Sequence, residues 1–192
     1  MDEKLNTLKK ACELLLYDSK IEAVELIRQQ YQFEYKTVNK RKYSGQKMKI
    51  FIRDGFIDRY SGKKLVIPGI LKVLSTYFPK DFPYQSHWKM SETHSAYWEF
   101  IPTIDHVSPI ATGGRDDEAN WVTTSMINNS IKSNWTLEQL GWVLYEPGDF
   151  RNWDGLTNLF ICLVDKDREL LKDPYVKNWY SLARRAMENK DI

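Results

Sequence analysis

A chain of 192 residues is long enough for one domain of usual size with helical additions, and too short for two large ones. With 42% hydrophobic and 14% aromatic residues it can bury a sizeable core, which excludes a disordered or fibrous protein. Its 28 basic and 26 acidic residues nearly cancel, to +2, so any case for nucleic-acid binding has to come from where the charges sit.

The longest uninterrupted apolar run, Leu159 to Val164, falls far short of the roughly 20 residues that span a bilayer, so no transmembrane helix is expected. The N-terminus lacks the basic-then-apolar layout of a secretory signal, and a cytoplasmic protein is the expectation. Cys12 and Cys162 are widely spaced within apolar helical patterns and read as small core residues, not as a disulfide or a zinc site.

In chain order, Leu5, Leu8, Cys12, Leu15 and Leu16 predict an amphipathic helix over 3–17 with one buried stripe. Ser19 and Glu22 have the form of a capping box opening a second helix, with Ile21, Val24, Ile27 and Tyr31 along its apolar face. From Lys36 to Lys49 lie six basic residues (Lys36, Lys40, Arg41, Lys42, Lys47, Lys49) and no acid. Ile50–Arg53 is a strand candidate followed by a turn at Asp54-Gly55, and Leu65–Ile67 is strand-like up to Pro68-Gly69. A short helix follows over 70–77, then an irregular stretch with His87 and His94, which read as structural or surface residues. Ile101–Ile104 starts an extended segment that ends at Asp105-His106. A loop with Gly113-Gly114 and the pair Asp116-Asp117, read as a solvated turn, leads to a strand over 121–124 and a helix over 125–134. Thr136 and Gln139 suggest a capped turn, and helices are expected near 153–171 and 174–188.

Asp105-His106, Asn120 fourteen residues after the histidine and Asn129 nine further on fall at a strand end, a strand start and the following helix. A strand pair crossed by a helix can gather them around one small cavity. They would supply a base (His106), an anionic oxygen ligand (Asp105) and a neutral oxygen ligand (Asn129), a set suited to phosphodiester hydrolysis. Side chains of adjacent strand residues point to opposite faces, so for Asp105 and His106 to share a site the strand is expected to end there, as Ser108-Pro109 also suggests.

The run Ile104–Ile110, the Gly-Gly loop, Asn120-Trp121 and Asn128-Asn129 resemble the HNH endonuclease family, closely over 103–134. Arg53–Gly62 is similar to the arginine-aspartate-glycine stretch that precedes the core in many members. The resemblance implies an α+β fold: a ββα-metal core embedded in N- and C-terminal helical additions. The expected layout is a helical scaffold and basic segment over 1–49, the nuclease core over 50–135 and a helical extension over 136–192, acting as one cooperative unit. It further implies His106 as general base, Asp105 and Asn129 as ligands of one Mg²⁺ or Mn²⁺ ion, Asn120 as the brace of the inter-strand loop that helps orient the histidine, and Lys132 as a phosphate contact.

Many members carry a zinc held by two C-x-x-C pairs. Here the corresponding positions are Asp58, Ser61, Ser125 and Asn128, so no structural tetrathiolate zinc is expected, and the seven tryptophans with the helical flanks are the expected substitute. The implied activity is metal-dependent cleavage of DNA, expected to be double-stranded, to 5′-phosphate and 3′-hydroxyl ends. By analogy of size and architecture the role is restriction or defence in a bacterium or phage. Lys40, Arg41 and Lys42 are assigned to the DNA backbone, while the aromatic C-terminal helices read as core, with Lys177, Arg184, Arg185 and Lys190 as the candidates for a second basic face. Monomer and homodimer stay open. The alternative is a nucleic-acid-binding module whose HNH-like core is a catalytically silent relic.

Overall fold

The computed structural model describes residues 3–32 and 46–188. The chain divides into two compact units, 1–39 and 40–192. Most of the basic segment, including Lys36, Lys40, Arg41 and Lys42, lies outside the described residues, as does Lys190. No helix among the described residues is long and apolar enough to cross a membrane.

In the first unit α1 (Glu3–Leu16) and α2 (Lys20–Gln30) pack as a helical hairpin. Its seam is made of small residues, with Thr7, Ala11 and Ala23 buried and the Thr7 hydroxyl donating to Gln30 Oε1 at 3.0 Å. The expected buried stripe is not there: Leu5, Leu8, Leu15, Leu16, Ile21 and Val24 are exposed, and so is Cys12. Small side chains let two helices approach closely, and the seam between only two helices is too narrow to cover a wide apolar face. Ser19 precedes α2 but makes no side-chain cap, so the Ser19/Glu22 capping box is not formed.

The second unit mixes helices with a two-stranded antiparallel sheet. Its core gathers Ile50, Phe51, Phe56, Ile67, Val73, Tyr97, Phe160, Val164, Val176 and Trp179. The expected strand at Ile50–Arg53 is instead helical, forming the C-terminal part of α3 (Lys47–Arg53). An unbroken apolar run carries no period that separates a buried helix from a buried strand. Here Met48, Ile50, Phe51 and Ile52 are all buried because α3 is packed by both strands and by the last helix. A turn follows at Gly55, whose φ of +60° and close approach to the Gly148 backbone exclude a side chain.

Leu65–Ile67 is extended but forms no ladder. Its amides donate in turn to Phe56 O, Phe100 O and Gly155 O, three separate segments, and a single bridge joins Ile57 to Lys64. Pro68 then opens α4 (Pro68–Tyr77), and a short α5 (Ala96–Phe100) leads into the sheet. In the stretch between them His94 stacks on Phe82 at 4.1 Å between ring centroids.

Strand β1 (Pro102–His106) pairs with β2 (Trp121–Ser125) in the register Pro102↔Ser125, Ile104↔Thr123, His106↔Trp121. Helix α6 (Met126–Lys132), capped by the Ser125 hydroxyl accepting from Asn128 N at 3.2 Å, packs on both strands. The outer edge of β2 would leave alternate amides bare. Two aspartates of the 53–62 stretch take them: Thr123 N donates to Asp54 Oδ2 at 2.7 Å and Ser125 N to Asp58 Oδ2 at 2.8 Å, while Arg59 N donates to Thr123 O. The carboxylates thus act as a substitute edge strand.

Thr136 and Gln139 form the expected capping box of α7 (Leu137–Leu140). Helix α8 (Thr157–Lys166) starts later than expected, after a left-handed Leu156, and a 3-10 turn at Arg168–Lys172 ends the region expected to be one helix. Cys162 lies on the exposed side of α8, where Phe160, Ile161 and Val164 are the buried residues, so it is not a core thiol. Helix α9 (Pro174–Glu188) matches its expected span and sends Val176, Trp179 and Ala183 into the core.

Candidate active site

Asp105, His106 and Asn129 line one cavity of about 210 Å³ together with Pro109, Ile110, Ser133 and Asn134. Strand β1 ends at His106, as the sequence suggested, and the His106↔Trp121 pair is the last of the ladder. Alternation sends the two side chains to different partners. Both residues nevertheless reach the cavity, because it is bounded by Pro109 and Ile110 just past the strand end.

Each of the three side chains has one end fixed by the protein. Asp105 Oδ2 accepts from the Tyr60 hydroxyl at 2.7 Å and pairs with Lys132 Nζ at 2.8 Å, and no described residue hydrogen-bonds its Oδ1. The Asn129 amide nitrogen donates to Thr103 Oγ1 at 2.9 Å, which turns its oxygen to other partners. His106 Nε2 lies 2.7 Å from Asp116 Oδ1 and 2.9 Å from the indole nitrogen of Trp121. His106 is 1% exposed, so the ring cannot reorient without unpacking the strand end.

Burial, the Asp105 charge and the hydrogen bond to it all push the Tyr60 phenol far above its ordinary range, as does the more distant Asp58, against a smaller opposing effect of Arg59. Tyr60 is therefore a permanent donor to Asp105 at physiological pH. Asn120 clamps the loop between the strands at both ends: its Oδ1 accepts from Ser108 N at 2.8 Å, and its amide donates to Ser108 O at 2.8 Å and Arg115 O at 2.7 Å.

Lys132 departs from its sequence assignment. It is fully buried, with Nζ on Asp105 Oδ2 and on His106 O at 2.7 Å, and presents no charge to a phosphate. Its position one turn after Asn129 at the helix end aims it back under the sheet instead of outward. Lys49, from the basic segment, pairs with Glu118 at 2.8 Å. The expected DNA contacts Lys40, Arg41 and Lys42 are outside the described residues.

No local pattern points to Tyr60 or Thr103 as partners in the site, because both act across the fold. Asp116 was read as part of a solvated turn. Its neighbour Asp117 accepts from Ala119 N and pairs with Arg115, and Asp116, also solvated at 44% exposure, meets His106 in addition.

Among the described residues no three His, Cys, Asp or Glu side chains converge as a metal cluster. The cavity is lined by Asp105 and Asn129, whose side chains carry hard oxygens of the type Mg²⁺ and Mn²⁺ take while keeping several waters. The donor set fits such an ion in kind, and the Lys132 ammonium lowers its net charge. Comparison of the chain with protein-family models, with curated proteins and with solved structures gives no match.

The buried pair predicts a large stability effect. Lys132→Met strands the Asp105 carboxylate and is expected to cost about 3–5 kcal/mol. Combining it with Asp105→Asn removes the stranded charge and should recover more than half of the loss. Guanidinium unfolding of the two variants decides this, and equal losses in both would show that the ion pair is not coupled.

Proposed function

We propose that this chain is a metal-dependent endonuclease of the HNH type that hydrolyses DNA phosphodiester bonds. The observation that carries the reading is the one cavity reached by Asp105, His106 and Asn129, each held at one end by a partner outside it. An antiparallel strand pair with a following helix packed on both strands supports it.

His106 takes a proton from a water as that water attacks phosphorus, and the bond from phosphorus to the 3′ oxygen breaks. The leaving 3′ oxygen takes its proton from a solvent water, and the ends formed are a 5′-phosphate and a 3′-hydroxyl. Histidine suits this because a neutral imidazole offers a nitrogen lone pair to the proton of the water. A Mg²⁺ or Mn²⁺ ion held by Asp105 and Asn129 would polarise the phosphodiester and stabilise the charge on the leaving oxygen. Tyr60 and Lys132 hold Asp105 oriented. Asn120 keeps the inter-strand loop folded beside the cavity.

Supercoiled plasmid incubated with Mg²⁺ or Mn²⁺, with and without EDTA, tests the proposal. Nicking or linearisation with either ion, suppressed by EDTA, is the expected result. Salt-dependent DNA binding without cleavage under every condition would instead identify a catalytically silent binding module.

A further inference from the structure

The loop between β1 and β2 carries a carboxylate that the proposed chemistry has not used. Asp116 Oδ1 lies 2.7 Å from His106 Nε2 and 3.0 Å from the Trp121 indole nitrogen, which is itself 2.9 Å from Nε2. The indole N–H can only donate, and an ionised carboxylate can only accept. A contact of 2.7 Å between Nε2 and Oδ1 needs a proton between them, and His106 supplies it. Nε2 is then a donor, and the indole hydrogen goes to Asp116 Oδ1.

We propose that Asp116 is a positioning residue for His106, fixing the tautomer with the proton on Nε2 so that the basic lone pair stands on Nδ1. The proposal rests on the reading of His106 as the base. It assigns that base a particular nitrogen and a carboxylate orienter, the logic by which a buried carboxylate sets a catalytic imidazole elsewhere.

The backbone around Asp116 is built to hold it, although its side chain is 44% exposed. Asn120 Nδ2 grips the carbonyl of Arg115, the residue just before it. Gly114 folds back on Ser108 so closely that a Cβ there would sit 1.9 Å from Ser108 O, and Gly113 has a φ of +96°. These two glycines let the loop return over the strand end, and the carboxylate meets the imidazole from that return.

Trp121 gives the inference a sharp consequence. In Asp116→Ala the indole N–H remains beside Nε2 and becomes its donor, so Nε2 turns into the acceptor and the proton moves to Nδ1. The base then carries its lone pair on the wrong nitrogen.

The chain has three histidines, and ¹⁵N NMR of the labelled full chain, with His87→Gln and His94→Gln for assignment, reads the His106 tautomer directly. At about pH 8 the wild type should show Nε2–H and Asp116→Ala should show Nδ1–H. In the plasmid assay Asp116→Ala should lower kcat about 10²- to 10³-fold with KM within about threefold of wild type. Asp116→Glu, which keeps the carboxylate, should restore the Nε2–H tautomer and much of kcat. An unchanged tautomer in Asp116→Ala, or a raised KM with kcat intact, overturns the proposal and makes Asp116 a loop anchor only. If the wild-type chain cuts no DNA, the nuclease reading fails by itself, and the tautomer measurement still decides what Asp116 does to His106.

Discussion

His106→Ala is expected to lower the cleavage rate by about 10²- to 10⁴-fold while the fold and metal binding survive, because the proposed base is removed and both proposed oxygen ligands remain. The ring is buried and touches Trp121 and Asp116, so some stability is lost with it. A thermal melt therefore accompanies the rate measurement and separates the two effects. Metal affinity, measured by calorimetry with Mn²⁺, should be nearly unchanged in His106→Ala and clearly weakened in Asp105→Asn. The contrast matters more than either number. Near-wild-type rates in His106→Ala would remove the base from the mechanism, and an unchanged Mn²⁺ affinity in Asp105→Asn would remove the carboxylate from the ion. At Asn129, alanine should abolish activity, whereas histidine keeps a metal-binding atom in the same direction and should preserve part of it.

An equally large expected loss of stability lies away from the cavity. Asp58 is 1% exposed and accepts four hydrogen bonds: Oδ1 from Tyr60 N and Thr124 Oγ1, Oδ2 from Ser125 N and Asn128 Nδ2. It therefore ties the 53–62 stretch to the end of β2 and the first turn of α6. Asp58→Ala leaves buried donors without acceptors and should destabilise the chain by about 3–5 kcal/mol in guanidinium unfolding. Asp58→Asn keeps one acceptor oxygen, so its loss should be intermediate. A cost below about 1 kcal/mol for the alanine variant would mean that neighbouring groups or water replace the carboxylate with ease. Because Asn129 and Lys132 ride on α6, a variant that loosens this tie should also lose cleavage.

Asp58 also stands at the first of the four positions where the resemblance places zinc-binding cysteines. The sequence suggested that tryptophans and flanking helices compensate. Trp179 does join the core, and Trp153 donates to Leu65 O at 2.8 Å, but Trp135 is exposed. A more local link exists: of the four positions Asp58, Ser61, Ser125 and Asn128, the first hydrogen-bonds groups of the other three, with Ser61 N donating to Asp58 O. Ser61 Oγ is buried and has no hydrogen-bond partner among the described residues. A carboxylate cross-link made of hydrogen bonds is insensitive to chelators, so EDTA should leave the melting temperature unchanged.

What the sequence determined by itself is local. The strand, loop, strand and helix over 102–132, the Thr136/Gln139 cap, the span of α9 and the convergence of Asp105, His106 and Asn129 were all legible, because each follows from short-range pattern or from the path of a strand pair and the helix after it. Tertiary structure decided the rest. Whether Ile50–Arg53 became helix or strand depended on what enclosed it on every side, since an unbroken apolar run has no period to read. The exposure of Leu5, Leu8 and Cys12 depended on how much partner surface a two-helix hairpin offers. The inward turn of Lys132, the grip of Tyr60 on Asp105 and the contact of Asp116 with His106 join residues through space, across 10 to 45 positions of sequence or around the end of a helix. Side-chain charge shows in a sequence, but its direction is settled only when the elements pack: the same lysine is a phosphate contact if it points out and a buried counter-ion if it points in.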